Sequence, residues 1–275
     1  EIAAIEGKKI KYPGVNGKHP RGVIGRSNPK KILPLKIQTD HAINPRFTGI
    51  IIDGVSIKDS PKWLQERLIK IGQRPINNIV DITNYVMLEL GNPIHAFDYD
   101  KINKHTMLVT QTKGGELFKS VDGISYHLPK GAVVICDSQN IIDLCGIKGG
   151  FNSGTFADAK TIFIRVPVEN SVLIRQASQT LGLRSEASSI FERGVDAGGT
   201  VDALRRCVDL ILELSGGEIA SDLYDIKAEE FRQWKLRLRI ERLNKILGIE
   251  IPEKNVLSIL ESLNLNPHLE GSEGI

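Results

Sequence analysis

The 275-residue sequence predicts an α+β fold with one large domain or two unequal ones. Hydrophobic residues make up 41% and charged residues 25% of the chain, which is typical of folded globular proteins. The apolar runs are strand-sized, and amphipathic helical segments lie between them. Because strand and helix segments do not alternate regularly, a mixed α+β arrangement is favoured over a doubly wound parallel sheet.

The composition also excludes several classes of protein. Three widely spaced cysteines, Cys136, Cys145 and Cys207, fit neither a disulfide framework nor a zinc cage, so we expect a reducing, cytoplasmic compartment. Nothing approaches the roughly 20 apolar residues of a membrane span. The first residues lack a signal-peptide layout, and we expect the chain to be a section of a larger protein.

The first 34 residues are predicted to form a linker or extended arm, because glycine and proline recur throughout them. Nine Lys or Arg residues and no Asp or Glu occur from Lys8 to Lys36. A solvated tether explains this run, and so does an arm that faces phosphate groups. The formal net charge of +3 is too small to indicate a nucleic-acid binder.

The elements that follow are predicted in chain order from periodicity and from helix signals. A β-branched strand covers Thr48–Val55, and Ser60-Pro61 opens a helix that ends at Gly72, with Ser60 as its cap. The next helix covers Ile79–Leu90, and Asp122-Gly123 marks a hairpin. The remaining predictions are strands and a late helix, at Thr106–Thr112, Ala132–Cys136, Thr161–Val168 and Val201–Ser215.

The end of the chain predicts a separate small helical unit. A charged stretch, 227–239, precedes helices predicted at Glu241–Leu247 and Pro252–Leu263. Residues 270–275 are predicted to be disordered.

Several polar segments are candidates for a site, and each has a structural alternative. Thr83 and Asn84 lie inside a helix, where they could meet a ligand or bond to a neighbouring loop. His95, between apolar neighbours, fits a structural histidine. The glycines of Cys145–Gly150 allow a close backbone approach or a tight turn.

Three blocks of sequence resemble the β subunit of bacterial phenylalanyl-tRNA synthetases. The longest is Arg74–Asp98, which reads RPINNIVDITNYVMLELGNPIHAFD. Gly149–Gly154 and Leu181–Asp196 (LGLRSEASSIFERGVD) follow in the same order. The resemblance runs from about Leu35 to Ile226.

The resemblance implies a domain organisation and partners. Residues 35–226 would be the editing domain, an α+β unit with β-sandwich-like sheets. Residues 1–34 would be a linker and the end of the preceding domain, and residues 227–275 a linker and the start of a small helical, DNA-binding-like domain. The whole enzyme would be an (αβ)₂ heterotetramer that binds phenylalanine tRNA and no membrane. Its α subunit would use ATP and magnesium, and this segment would need no cofactor.

The resemblance also implies an activity and a set of pocket residues. Editing domains of this family hydrolyse tyrosine wrongly attached to phenylalanine tRNA. His95 would lie near the aminoacyl group or its attacking water, Gly149 would allow close approach, and Ala187 would leave room for the ring. Carried over by position, the family's pocket residues are Thr83, Asn84, His95, Gly149, Ser185 and Ala187. No metal, nucleophile or named general base is implied.

Three positions depart from the family pattern. Arg165 stands where a glutamate usually accepts a hydrogen bond from the tyrosine hydroxyl, and a guanidinium has no acceptor. A guanidinium without a counter-charge would also be costly in a closed pocket. Lys148 and Phe151 are the other two departures.

These departures lead to the hypothesis that tyrosine editing is weakened, lost or altered. The alternative function is a non-catalytic structural and tRNA-docking module whose editing pocket has decayed. A free-standing deacylase or nucleic-acid-binding module is a third interpretation, which the synthetase-like flanking sequence weakens.

Overall fold

A computed structural model describes residues 1–10, 31–228 and 234–269, and it confirms the α+β class. The chain forms two compact units, one of residues 19–231 and one of residues 1–18 with 232–275. The predicted domain boundaries stay a prediction. Much of the basic arm, and the tail predicted to be disordered, lie outside the described residues.

Twelve strands occur in the described part of the larger unit. They are β1 Lys36–Gln38, β2 Arg46–Asp53, β3 His95–Asp98, β4 Thr106–Gln111, β5 Leu117–Lys119, β6 Ser125–His127, β7 Val133–Cys136, β8 Ile141–Leu144, β9 Lys148–Gly149, β10 Thr161–Val168, β11 Glu218–Ile219 and β12 Tyr224–Lys227. The α-helices of the whole chain, again among described residues, are α1 Ile2–Ile5, α2 Lys62–Lys70, α3 Asn78–Leu90, α4 Ser171–Leu181, α5 Glu186–Phe191, α6 Thr200–Ser215, α7 Ile240–Leu247 and α8 Glu253–Ser262.

Two larger sheets and a hairpin make up the β-structure. The outer sheet has the order β1-β4-β7-β8-β9, and the central sheet has the order β11-β2-β10-β3, with β12 also paired to β2. Strands β5 and β6 form a hairpin around the predicted Asp122-Gly123 turn, where Gly123 has a φ of +83°. Of the two alternatives for Cys145–Gly150, a tight turn between β8 and β9 accounts for the first part of the segment.

The central sheet separates two hydrophobic cores, because successive side chains of a strand point to opposite faces. Phe163 of β10 and Phe97 of β3 lie in the core shared with the outer sheet. Ile162 and Ile164 of β10 lie in the other core, which is shared with α2, α3 and α6. His95 and Arg165 therefore fall on the face toward the outer sheet, in register with Phe97 and Phe163.

One helix start has a side-chain cap, and another differs from its prediction. Asn77 caps α3, since its side-chain oxygen accepts from the backbone N–H of Ile79 and Val80. The prediction that Ser60 caps α2 is wrong, because the cap residue is Pro61 and no side chain bonds to the helix start. The Ser60 hydroxyl instead donates to buried Asp81 at 2.5 Å, which competes with the cap.

The strands and late helices that were predicted lie within a few residues of their predicted bounds. Strand β10 spans the predicted Thr161–Val168, and α6 begins one residue before the predicted Val201. In the smaller unit, α7 and α8 lie at the two helices predicted near the end of the chain. Gly248, with a φ of +71°, ends α7 as expected for a left-handed C-terminal glycine.

Candidate functional site

A small cavity of about 80 Å³ lies between the two sheets of the larger unit, where α5 covers them. Its walls come from the start of β3, from β8 and β9 with the turn between them, from β10, and from α5. This volume holds several water molecules or part of an aromatic side chain.

Four of the seven site residues predicted from the sequence line this cavity: His95, Gly149, Arg165 and Ala187. The strand register explains the first contact, because His95 of β3 is paired with Arg165 of β10. Ala187 reaches the cavity from the first turn of α5. Residues separated by up to about 90 positions therefore meet at one place.

The other three predicted residues, Thr83, Asn84 and Ser185, are not among those that line the cavity. The buried Thr83 hydroxyl donates to the carbonyl of Val80, 2.7 Å away within α3. Asn84 is half-buried, and no described residue forms a hydrogen bond with its side chain. Ser185 caps α5, accepting from the backbone N–H of Ser188 at 3.1 Å.

Arg165 has a counter-charge, so the cost of an unpaired guanidinium does not arise. Its Nη2 donates to Oε1 of Glu169 at 2.6 Å, and both side chains are almost fully buried. The other Glu169 oxygen accepts from the Asn44 amide at 3.1 Å. The guanidinium also lies 4.7 Å from the centre of the Phe47 ring. Arg165 is thus held toward the sheet interior by a buried ion pair, while its Nε has no partner in the described structure.

Asp143 of β8 is a cavity residue that the sequence did not indicate. It is 4% exposed, and its Oδ1 lies 3.9 Å from Nε2 of His95. Burial, aided by the negative charge of Glu169, raises its pKa from 3.8 to about 7, although Arg165 opposes this. The Cys145 thiol is within hydrogen-bonding reach of the same carboxyl. Asp143 therefore lies close to the balance between its neutral and charged forms at neutral pH.

The sequence offers no simple signal for Asp143 or Glu169. Ile-Ile-Asp-Leu at 141–144 has the pattern of a strand with one solvent-facing polar residue. Glu169 comes directly after the apolar strand β10, where a polar residue usually marks the exit to a surface loop.

His95 is held in a neutral form at the cavity wall. Burial and the nearby charge of Arg165 lower its pKa from 6.5 to about 4. The ring packs edge-on against Phe97, with centroids 4.4 Å apart, and its Nε2 has no hydrogen-bond partner in the part of the chain described. A neutral imidazole with an open nitrogen is able to bind a ligand hydroxyl or a water molecule.

Gly149 leaves the space that the ring of His95 occupies. A β-carbon added there would lie 2.6 Å from Cε1 of His95, a distance that packed atoms do not tolerate. The close approach expected of Gly149 is thus an approach to His95, which fixes one side of the cavity.

Residues 43–216 match the B3/4 domain family, and this range covers most of the chain. The chain belongs to the B3/4 domain family. The sequence resembles the β subunit of phenylalanyl-tRNA synthetases over the same region. Similar proteins among phenylalanine–tRNA ligase β subunits confirm this resemblance.

Three such relatives illustrate the similarity. The β subunit of Carboxydothermus hydrogenoformans is 37% identical over 96% of this chain and 32% of its own length. That of Thermotoga maritima is 40% identical over 76% of this chain and 26% of its own length. The β subunit of Protochlamydia amoebophila is 34% identical over 99% of this chain and 33% of its own length. The chain thus spans between about a quarter and a third of the length of these relatives.

A solved structure is also similar to this chain, although weakly. It is an N-terminal fragment of the phenylalanyl-tRNA synthetase β subunit from Pyrococcus horikoshii, with a TM-score of 0.48 and 16% identity. The match covers 85% of this chain and 65% of that fragment. No helix in the described ranges is both long and apolar enough to cross a bilayer.

The two other departures from the family pattern, Lys148 and Phe151, add no unpaired charge to the cavity. Lys148 lines the cavity, but its ammonium bonds to Asp122 of the β5–β6 hairpin at 2.5 Å. Lys148, together with the Ser120 hydroxyl, lowers the pKa of Asp122 to about 2. Phe151 is 40% exposed, and Lys119 lies over its ring at 4.4 Å. Neither residue places an unpaired charge in the cavity.

The chemistry available in this cavity is that of binding and orientation. The Cys145 thiol is unsuited to nucleophilic attack, because burial raises its pKa well above the ordinary value. Among the described residues, no group of His, Cys, Asp or Glu has the arrangement of a metal site. What converges is a neutral imidazole, a carboxyl near its titration point and a guanidinium N–H, all beside apolar walls.

Proposed function

We propose that this chain is a segment of the β chain of a cytoplasmic phenylalanyl-tRNA synthetase, and that its B3/4 domain hydrolyses tyrosine wrongly attached to phenylalanine tRNA. One observation carries the proposal. His95, Gly149 and Ala187, three positions implied by the family resemblance, meet at one cavity that also holds buried polar groups.

The need for such an activity follows from the chemistry of the two amino acids. Tyrosine differs from phenylalanine by one hydroxyl, and an apolar synthetic pocket rejects an added hydroxyl by only about 100-fold. A second site that binds the hydroxyl with polar groups supplies the missing discrimination.

The proposed reaction is hydrolysis of the aminoacyl ester. A water oxygen bonds to the ester carbonyl carbon, the bond from that carbon to the ribose oxygen breaks, and the ribose oxygen takes up a proton. The products are free tyrosine and uncharged tRNA. His95 would hold the aminoacyl group or the water, and positioning rather than a covalent intermediate would lower the barrier.

The predicted residues outside the cavity wall have supporting roles in this proposal. Ser185 holds the start of α5, which brings Ala187 and Phe191 to the cavity. Asn84 of α3 is half-buried and is assigned to substrate binding by the family resemblance alone, and the hydroxyl of Thr83 beside it bonds within the helix.

The proposal also assigns partners. The chain would assemble with an α subunit as an (αβ)₂ heterotetramer and bind phenylalanine tRNA. ATP and magnesium would be used on the α subunit, and no cofactor would be held by this segment.

The alternative, a structural and tRNA-docking module with a decayed pocket, has less support. Its evidence was Arg165, Lys148 and Phe151, the three departures from the family pattern. Arg165 is bound to Glu169 and Lys148 to Asp122, so neither charge is unpaired in the cavity.

The proposal predicts that the αβ enzyme built with this chain clears tyrosine from mischarged phenylalanine tRNA. We expect His95→Ala to slow this hydrolysis by roughly tenfold or more, because the group next to the ester is lost. The rate of release of labelled tyrosine measures the effect.

The matched control is His127→Ala, which changes an exposed histidine of β6 in the same unit. It should leave the rate unchanged. Tyrosyl-tRNA that stays intact in the presence of the parent enzyme would contradict the proposal and favour the structural module.

A further inference from the structure

Three polar groups with unused hydrogen-bonding capacity converge on the cavity. The Nε2 of His95 and the Nε of Arg165 are buried, and neither has a partner among the described residues. The carboxyl of Asp143, 4% exposed, faces the same space, 3.9 Å from the histidine nitrogen. Buried polar atoms are rarely left in this condition, so the cluster is arranged for something that enters it.

The carboxyl of Asp143 has no counter-charge of its own. Arg165 is the nearby cation, and its guanidinium is committed to Glu169 at 2.6 Å. Two carboxyl groups therefore share one buried positive charge, with the Cys145 thiol within hydrogen-bonding reach of both. An isolated buried carboxylate is costly unless a donor reaches it, and a ligand hydroxyl would be such a donor.

The rest of the cavity wall suits an aromatic ring. Phe191 and Ile147 are buried apolar residues of this wall, and Ala187 adds only a methyl group. Gly146, with a φ of +68°, lets Phe191 approach closely, since a β-carbon there would lie 2.8 Å from the ring. A ligand with an apolar ring and a single hydroxyl matches apolar walls with one polar cluster.

We infer that Asp143 is the residue that selects tyrosine, by accepting a hydrogen bond from the phenolic hydroxyl of the bound tyrosyl group. This inference rests on the proposed function. It moves the recognition of the hydroxyl from position 165 to a carboxyl on β8. Arg165, which Glu169 holds in place, is a second group that binds the hydroxyl, because its unpartnered Nε–H is a donor for the phenolic oxygen.

Discrimination follows from what phenylalanine lacks. A hydroxyl donates one hydrogen bond and accepts others, so it satisfies the carboxyl and a neighbouring N–H at once. Phenylalanine would bury the same groups without partners. A hydrogen bond to a charged group contributes about 1.5–3 kcal/mol, which is about 10- to 150-fold in selectivity.

The test compares tyrosyl- and phenylalanyl-tRNA as substrates of the αβ enzyme built with this chain. We expect Asp143→Ala to lower the ratio of the two hydrolysis rates by about tenfold or more, with hydrolysis of the phenylalanyl ester undiminished. Asp143→Asn keeps an acceptor oxygen and should have an intermediate ratio. Asp158→Asn, on an exposed aspartate of the same unit, is the control and should match the parent.

Two results in this assay would overturn the inference. An unchanged ratio would mean that another group reads the hydroxyl. An equal fall for both esters would mean that Asp143 acts on the ester or on the water rather than on the ring.

A binding measurement separates this inference from the proposed function. Calorimetry with L-tyrosine and L-phenylalanine on the 275-residue chain should show a preference for tyrosine that Asp143→Ala removes. Circular dichroism of the variant checks that the fold is intact. If the parent prefers tyrosine but does not hydrolyse the ester, the proposed function fails and the inference stands. If the parent binds both amino acids equally, the inference fails whatever the hydrolysis assay shows.

Discussion

Arg165 is the residue whose interpretation changes most between sequence and structure. As a substitution for an acidic residue it suggested a damaged pocket. With Glu169 at 2.6 Å and the Phe47 ring at 4.7 Å, the guanidinium is part of the sheet packing. A buried ion pair of this kind adds little net stability by itself, but removing one partner leaves the other charged and unpaired.

Arg165→Glu is therefore predicted to destabilise the fold rather than to restore an editing contact. The new carboxylate would face Glu169 and lie near Asp143 with no cation between them. We expect the free energy of unfolding to fall by about 3–5 kcal/mol, measured by urea denaturation.

Two outcomes check the reason for this loss. The double variant Arg165→Met with Glu169→Leu removes both charges and should recover much of the stability, because apolar residues of similar volume often replace a buried pair without loss. A single Arg165→Glu variant as stable as the parent would contradict the role of the ion pair.

At the scale of elements, the turn between β8 and β9 sets the position of His95. Gly149→Ala is predicted to displace the imidazole, because the added β-carbon would lie 2.6 Å from its Cε1. The hydrolysis of tyrosyl-tRNA should fall to a rate similar to that of His95→Ala, while the unfolding transition is retained.

A double-mutant cycle tests this mechanism. Adding Gly149→Ala to His95→Ala should cost little further activity, since the clashing ring is already gone. Additive losses would show that Gly149 acts on the substrate by another route.

The elements could be predicted from the sequence where local patterns determine them. Strand β10 is a β-branched apolar run, and α3 starts at an asparagine cap, so both were found. Ser60 was misread because its hydroxyl meets Asp81, 21 positions away. Asp143 was missed for the same physical reason: its strand pattern indicates a solvent-facing side chain, and only the packing of one sheet on the other buries it.

At the scale of the whole molecule, the cavity lies between the outer and the central sheet. The protonation of its ionisable groups therefore affects the free energy of unfolding of the larger unit. Asp143 has a folded pKa of about 7, raised from 3.8, and His95 has a folded pKa of about 4, lowered from 6.5. On unfolding, Asp143 releases a proton and His95 takes one up, so the two groups change the free energy of unfolding with pH in opposite directions.

The sign of each contribution follows from proton binding. Between pH 3.8 and 7 the folded state holds a proton on Asp143 that the unfolded state has released, so this stabilising contribution is lost as the pH rises. Between pH 6.5 and 4 the unfolded state protonates His95 and the folded state does not, so that contribution is lost as the pH falls. In the parent chain, these two changes of the free energy of unfolding with pH partly cancel.

Asp143→Asn should remove the contribution of Asp143 to the pH dependence of stability and leave that of His95. We expect the variant to gain stability relative to the parent as the pH rises from about 4 to 7, by up to roughly 4 kcal/mol, with no further gain above that range. His95→Gln should show the opposite trend, gaining stability relative to the parent as the pH falls from about 6.5 to 4, because the variant has no histidine to take up a proton on unfolding. Urea denaturation at half-unit pH steps measures both differences. If the difference in free energy of unfolding between Asp143→Asn and the parent does not change with pH, the pKa of Asp143 is not raised in the folded state. A cation or solvent would then reach its carboxylate.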